Sequence, residues 1–232
     1  MKPFPDIVQE LIEGLNYSVT INSIVDNLDG TFTLFACSTL HVRNHSLITI
    51  GGTDYRVTEV SNNESITFTA SSLPIGSTLT AKKPFYIHGS LLAANTELNK
   101  IIDADEKLPM VYLFESFSEE RVFNKKSPIQ RNVRTSLYVL DSADFNNWLT
   151  DDHYEKAVKP MDNLAELIVE TIDKDGKYGF VDTYNITPMV RFGQITENGN
   201  TKLLFDEFAS GVLLEITIPI MKPIKCDKNN LC

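Results

Sequence analysis

The hydrophobic residues at the start of the chain recur at helical spacing. Pro5 suits a first helical turn, and Asp6 favours the positive end of a helix dipole. The apolar positions then lie three or four apart, at Ile7, Val8, Leu11, Ile12 and Leu15. Gly14 and Asn16 end the pattern. Residues 1–16 are therefore predicted to form a short amphipathic helix, which can pack on either of the units that follow.

From position 17 to about 88 the period changes from helical spacing to alternation. Six short runs rich in Thr, Val, Ile and aromatic residues are typical of strands. They are separated by turn-forming sequences, namely DNLDG at 26–30, GG at 51–52, NN at 62–63 and LPIG at 73–76. Because the runs are short and closely spaced, we predict a small antiparallel β-barrel or sandwich over residues 17–88.

Helical and alternating patterns are mixed between positions 89 and 222. A helix is predicted from the N-cap Ser90 to about Lys107, and Pro109 ends it. Strands are predicted at 110–118, 132–143, 184–196, 201–208 and 211–221, the first two forming a hairpin. Pro188 and Pro219 indicate outer positions or strand ends. This region is predicted to be an α/β sandwich, an antiparallel sheet with two or three helices on one face, followed by a polar tail at 223–232.

Together these patterns predict the α+β class, with a β-domain beside an α/β sandwich. If the N-terminal helix packs on the sandwich, the β-domain is an insertion within it. The segment MVYLFESFS in the first hairpin strand and the alternating strand at 132–143 suggest a sheet with one face against helices and the other partly available to a partner.

The most concentrated candidate chemistry is TDDHYE, where Asp151, Asp152, His153 and Glu155 lie within five positions. Such a cluster suits a metal site, an acid–base pair or the start of a helix. Neighbouring helical residues are about 100° apart, so these side chains fan outward instead of converging. Acidic residues are also favourable in a first turn. We therefore interpret the cluster as a helix start with Thr150 as N-cap, and expect Pro160 to divide the segment into two helices.

Charge limits the partners that the chain can have. The 232 residues carry a formal net charge of −10, which repels nucleic-acid phosphates unless basic residues are gathered on one face. The one notable basic cluster lies in the predicted hairpin loop and contains Arg121, Lys125, Lys126, Arg131 and Arg134. A solvated loop is the favoured interpretation, and a loop that lines a DNA channel stays open.

The sequence contains no motif typical of an enzyme. GxSxG, GxGxxG and GxxxxGK[ST] are all missing, and His41 and His45 lie four apart without a neighbouring Cys. His88 is isolated at the predicted domain junction. We therefore predict no catalytic residue, no cofactor and no metal ligand.

Two further features of the chain bear on the compartment in which the protein is expected. No apolar run approaches the roughly 20 residues of a membrane helix, and acidic residues stand where a signal peptide is apolar. The expectation is a chain kept in solution, with free thiols at Cys37, Cys226 and Cys232.

The stretch NTELNKIIDADEKLPMVYLFESFSEER…RTSLYVLDSADFNNWLTDDHYEKAVKPMDNLAELIVETI, within about 90–173, resembles structural neck proteins of phages that infect Bacteroidetes, including crAss-like viruses. The order helix, hairpin, helix, further strands also resembles the tail-terminator and tail-completion proteins of tailed bacteriophages. The β-domain lies outside the usual terminator pattern.

This resemblance implies a non-enzymatic virion protein, assembled in the host cytoplasm. It would form a sixfold or twelvefold ring of identical subunits that joins the portal or head to the tail and continues the DNA channel. Arg121, Lys125, Lys126 and Arg131 would then contact the channel or a neighbouring ring, with non-specific contact to DNA and none to a membrane. The resemblance also places sheet edges near 110–118 and 212–220 at the subunit interface.

A second hypothesis is a carbohydrate- or receptor-binding module of a phage or cell-surface assembly. The β-domain would be the binder in this case. Clustered surface aromatic residues would favour sugar binding, and the candidates are Tyr55, Phe68 and Tyr86.

Overall fold

The structure, a computed structural model, describes residues 2–101, 107–123, 127, 129–197, 200–203 and 208–222. They form a β-barrel and an α/β sandwich, in which helices pack on a single sheet. The barrel strands are β1 (Ser18–Asp26), β2 (Thr31–Ala36), β3 (Leu47–Ile50), β4 (Thr53–Ser61), β5 (Ser65–Thr69) and β6 (Thr78–Ala81). The helices of the sandwich are α1 (Phe4–Glu13), α2 (Leu91–Leu98), α3 (Thr150–His153) and α4 (Lys159–Lys174), with a π-helical segment at Tyr154–Val158. Its strands are β7 (Phe85–Gly89), β8 (Met110–Phe114), β9 (Ser118–Arg121), β10 (Ile129–Ser142), β11 (Tyr184–Phe192), β12 (Gln194–Glu197), β13 (Asn200–Leu203) and β14 (Ala209–Met221).

The first six strands close into an antiparallel barrel in the order β1-β2-β5-β4-β3-β6, as the alternating pattern predicts. Its core consists of alternate side chains from every strand, including Leu34, Val57, Ile66, Phe68 and Leu79, all of which are fully buried. The pairing of β4 with β5 shifts register between Val57 and Glu59. A bulge there adds a residue to one strand, so the alternation along β4 is broken and neither face is purely apolar in the sequence.

The second sheet has the order β11-β14-β10-β8-β7, and β9 also pairs with β10. All of its pairings are antiparallel except that of β7 with β8. The hairpin of β12 and β13 stands apart from it. Residues 85–88 therefore belong to this sheet and not to the β-domain predicted to end at 88. The parallel pairing joins strands more than 20 residues apart, and local sequence patterns do not show such a contact.

The N-terminal helix α1 packs on the sandwich. Phe4, Val8 and Ile12 share one core with sheet residues such as Leu137 and with Met161 of α4. The barrel is therefore inserted between α1 and β7. The helices do not all lie on one face, because Ala94 and Leu98 of α2 belong to a separate core on the opposite face of the sheet.

The two predicted sheet edges near 110–118 and 212–220 are wrong. Strand β8 lies between β10 and β7, and β14 lies between β11 and β10. The continuous apolar run of β8 is typical of a strand covered on both faces. The outer strands are β7, β9 and β11, and Pro188 lies on β11 as an edge position predicts. Pro219 lies beyond the end of β11, where its carbonyl accepts a hydrogen bond from Gly179 N at 2.7 Å.

The long helical segment begins where the TDDHYE pattern predicts, although the N-cap is Leu149 instead of Thr150. Pro160 lies at the predicted division between a short first helix and a longer second one, although no break separates the two. The chain passes from α3 through the π-helical segment into α4 without leaving the helical conformation, and Pro160 occupies the first turn of α4, where a missing N–H is tolerated. The predicted stripe of Met161, Leu164, Ala165, Ile168 and Ile172 is buried.

Among the described residues, no helix is both long enough and apolar enough to cross a membrane. The helix predicted up to Lys107 is described as α2 over Leu91–Leu98, and 102–106 lie outside the described ranges.

Candidate interaction surfaces

Two members of the basic cluster are exposed within the described part of the chain, Arg121 in β9 and Arg134 on β10. The Arg121 side chain is 65% exposed, with Nε 3.3 Å from Glu119 Oε1. Arg131 is only 3% exposed, and its guanidinium donates to Glu119 Oε2 at 2.9 Å and to the Lys2 carbonyl at 2.8 Å. Arg131 therefore joins α1 to β10 and offers no charge to a channel. Lys125 and Lys126 lie outside the described residues.

The acidic residues at the start of the long helix point in separate directions. Asp152 binds Lys156 at 2.7 Å, whereas Glu155 binds Lys159 at 2.5 Å. The hydrogen bond from Lys156, with a second from Leu149 N, lowers the pKa of Asp152. Nowhere in the described ranges do three or more His, Cys, Asp or Glu side chains form a group that could hold a metal ion.

His153 was expected to point outward, but the structure buries it completely. Its Nδ1 lies 2.9 Å from Ser210 Oγ, and its ring packs on Phe145 and Trp148 at centroid distances of 5.9 and 5.4 Å. The signal that could have found it is spacing, since His153 and Ala157 continue the apolar stripe of α4 at four-residue steps.

The close Ser210 and His153 side chains do not form a nucleophilic site. Ser210 is fully buried, and its Oγ already accepts a hydrogen bond from Arg191 N at 3.0 Å. Burial, reinforced by the charge of Arg191, lowers the pKa of His153. A substrate has no access to this oxygen, so the pair is a structural contact between α3 and β14.

The barrel meets the sandwich through buried polar groups. Arg43 Nε contacts Asp141 Oδ2 at 2.5 Å, and Asp141 is 1% exposed. Lys82 Nζ donates to the Leu108 carbonyl at 2.8 Å, and His41 Nε2 donates to the Lys82 carbonyl at 2.6 Å. A cavity of about 200 Å³ lies among these residues.

Burial shifts the pKa values of two groups at this junction, Asp141 and His41. It raises the pKa of Asp141 in spite of the nearby Arg43, and it lowers the pKa of His41 to about 4. A second contact lies on α4, where Asn163 Nδ2 donates to the Leu40 carbonyl and to Asn62 Oδ1, each at 2.8 Å. The barrel is therefore fixed on the sandwich by directional bonds on two sides.

One part of the sheet is uncovered. On the face opposite α1 and α4, Arg134 is paired across the strands with Thr217, and Glu215 lies between Ser136 and Asn185. Arg134, Asn185, Glu215 and Thr217 are exposed and Ser136 is half-buried. The free side of β11 adjoins this polar area, so a face and an outer strand are available for contact.

The aromatic residues considered for sugar binding do not share a surface. Phe68 is fully buried in the barrel, and Tyr55 packs against it at 5.3 Å between ring centroids. Tyr86 lies on β7 in the other sheet and donates to the Pro5 carbonyl at 2.9 Å. His88 is exposed, as is Cys37, whose thiol is free, whereas Cys226 and Cys232 lie outside the described ranges.

The fold and these surfaces define an α+β protein with a β-barrel inserted into a helix-backed sheet. Comparison with protein-family models, curated proteins and solved structures finds no match in any of the three.

Proposed function

We propose that the chain is a structural subunit of a ring at the head–tail junction of a tailed bacteriophage. The ring joins the portal or head to the tail and continues the DNA channel. The observation that carries this proposal is the helix-backed, mostly antiparallel sheet, whose opposite face is polar and uncovered around Arg134 and Glu215, beside the free side of the outer strand β11.

An uncovered outer strand supports assembly because its unpaired N–H and C=O groups can pair with another chain. Strand β11 is nine residues long, and four of its residues are exposed and four are half-buried. The adjacent polar face supplies both charges, Arg134 and Glu215, in one area. A ring subunit needs different surfaces for its two neighbours, and the free side of β11 with the adjoining polar area can supply one of them.

The charge of the chain also supports a channel through which DNA passes without binding tightly. The net charge of −10 repels phosphates, and the Arg121 side chain lies within 3.3 Å of a carboxylate oxygen of Glu119. A ring of such subunits would hold DNA only through non-specific contacts. Lys125 and Lys126 of the same loop would add to these contacts.

Electron microscopy of negatively stained virions, with an antibody raised against the purified chain, tests this proposal. We expect antibody on annular density between head and tail, and annular particles in preparations of the isolated complex. Antibody on fibres, or a monomer that binds glycans, would contradict a neck ring and favour the receptor-binding hypothesis.

A further inference from the structure

The end of the barrel that faces away from the sandwich presents apolar side chains to solvent. The turns at 27–30 and 51–52 and the loop at 70–77 all lie at this end, as the strand register shows. Leu28 is 90% exposed, Ile75 91% and Leu73 57%. We call these three residues and their turns the distal tip. All three lie outside the buried core of the barrel.

The distal tip is held in a fixed shape and carries negative charge. Leu28 adopts a φ of 64°, which is unusual for a residue with a branched side chain. Its N–H donates to Asp26 Oδ1 at 2.8 Å, and Thr31 N donates to Asp29 Oδ1 at 2.9 Å. Asp54 adds a third carboxylate, and positions 26–31, 50–54 and 69–78 contain no Lys or Arg.

The opposite end of the molecule has the complementary character. A groove of about 750 Å³ lies where α1 begins, β14 ends and the loop after α4 turns back. Its apolar wall contains Tyr178, Ile220 and Met221, and its basic residues include Lys2, Lys177 and Lys222. Its two carboxylates bind two of these lysines, Glu10 binding Lys2 and Asp175 lying 3.7 Å from Lys177, so the lysines exceed the carboxylates by one positive charge. Arg131 also lines the groove, but its guanidinium is buried and paired with Glu119. We call this site the basal groove.

The distal tip cannot reach the basal groove of its own chain. Strand β10 has 14 residues and is about 45 Å long at the usual rise per residue. The basal groove lies beside its first residues, whereas the barrel is attached near its other end through Asp141. The distal tip can therefore meet a basal groove only in another copy of the chain.

We propose that the distal tip of one copy docks into the basal groove of a second copy. The aliphatic side chains of the tip would cover the apolar wall, and its three carboxylates would face the lysines at the rim. Apolar burial supplies the attraction, and charge complementarity sets the orientation. Such a contact joins two different patches, so it repeats from copy to copy until a ring closes or a filament grows. The inference rests on the proposed function, because it supplies the contact that a ring requires.

Two complementary variants test the docking. A tip variant carries Leu28→Asp and Ile75→Asp, and a groove variant carries Lys2→Glu and Lys177→Glu. All four positions are on the surface, so the cores are unchanged, and circular dichroism checks the fold. Leu92→Asp is the matched control, since Leu92 is 78% exposed and lies on α2, outside both surfaces.

Sedimentation velocity and light scattering then report the mass. We expect the wild type and Leu92→Asp to form multimers as concentration rises, and each double variant alone to stay a monomer. An equal mixture of the two double variants should give a dimer and nothing larger, because it contains one intact tip and one intact groove per pair.

Several results would overturn the docking. They are a wild type that stays monomeric at its highest attainable concentration, double variants that assemble like the wild type, or a mixture without dimers. A further test mixes the protein with vesicles of phosphatidylglycerol and phosphatidylcholine. If the wild type sediments with the vesicles and only the tip variant does not, the tip binds lipid instead of the groove. Annular density in virions, together with double variants that still assemble, would leave the neck proposal standing and the docking wrong. Virions without annular density at the neck would contradict the neck proposal but not the docking.

Discussion

Two histidines are buried in this protein, and each has one ring nitrogen without a hydrogen-bond partner among the described residues. His41 joins the barrel to the connector before β7 through the Lys82 carbonyl, and its Nδ1 is the unpartnered atom. His153 joins α3 to Ser210, and its Nε2 is unpartnered. Both rings are stable in this position only when neutral, because a buried imidazolium would need a partner for each N–H.

The pKa of His41 gives stability a definite dependence on pH. Burial lowers this pKa to about 4 from an ordinary value of 6.5, so below pH 6.5 the unfolded chain binds a proton that the folded chain does not. The free energy of unfolding should therefore fall as pH drops from 6.5 towards 4, by about 3 kcal/mol from this residue.

His41→Gln should remove most of this pH dependence, because a Gln amide can still donate to the Lys82 carbonyl and does not titrate. Urea denaturation at pH 7, 5.5 and 4.5 measures the effect. His88→Gln is the control, since His88 is exposed, and it should follow the wild type. An identical pH profile for His41→Gln and wild type would show that His41 is protonated in the folded state.

At the scale of the elements, the pairing of β10 with β14 is the largest contact in the sheet, and Gly211 permits it. A Cβ at this position would lie 2.0 Å from the Val139 carbonyl oxygen, which belongs to the neighbouring strand and cannot move without disrupting the ladder. Gly211→Ala should therefore lower the free energy of unfolding by about 3 kcal/mol, because the added methyl group would overlap the backbone of β10.

The matched control for this change is Gly176→Ala, where a Cβ would meet nothing within 4 Å. Urea midpoints for the two variants should differ clearly, with Gly176→Ala close to the wild type. Equal midpoints would mean that β14 can shift away from β10 without loss, which the long, regular register between them contradicts.

The barrel could be predicted from the sequence because its information is local. Each strand alternates, and each turn has Gly, Asn or Pro at positions that lie close in the chain. The pairs β1–β2, β3–β4 and β4–β5 join strands that are neighbours in sequence, whereas β2 pairs with β5, and β6 pairs with β1 and β3. The covering helix α4 was equally clear, since its buried residues recur at helical spacing. The sequence therefore predicts the elements and their class.

The sheet edges and the candidate site could not be predicted in the same way, because they depend on contacts distant in sequence. Strand β7 adds to β8 across a helix, which turns a predicted edge into an interior strand. Arg131 looks like a loop cation until Lys2, 129 positions earlier, supplies its carbonyl. The spacing of apolar residues along the chain does not show which distant residues will be in contact.

At the scale of the whole molecule, the position of the barrel on the sandwich depends on a small number of polar contacts. Two chain connections, before β1 and after β6, hold the barrel covalently. In addition, Arg43 of the barrel and Asp141 of the sandwich form an ion pair in which the carboxylate is almost completely buried. The docking of tip and groove at opposite ends of the molecule needs this position to be fixed, because the angle between the two surfaces decides whether a ring closes.

Breaking the ion pair on one side should release the barrel. Asp141→Ala leaves the Arg43 guanidinium mostly buried without its partner, and we expect a loss of about 3 kcal/mol in the free energy of unfolding. Hydrogen exchange measured by mass spectrometry should also increase at the junction loop 38–46, while the barrel strands stay protected. The double variant Arg43→Met with Asp141→Leu should recover most of the stability, because it removes both charges and keeps the volume.

Asn163→Ala separates the ion pair from the second contact, since it removes the bonds to Leu40 and Asn62 and leaves both charges in place. We expect it to raise exchange at the junction loop by less than Asp141→Ala does, because neutral hydrogen bonds at a partly exposed site are weaker than a buried ion pair. A larger effect from Asn163→Ala would mean that α4, and not β10, holds the barrel in position. In that case the angle between the distal tip and the basal groove would be set by the long helix, and ring closure should respond to Asn163 and not to Asp141.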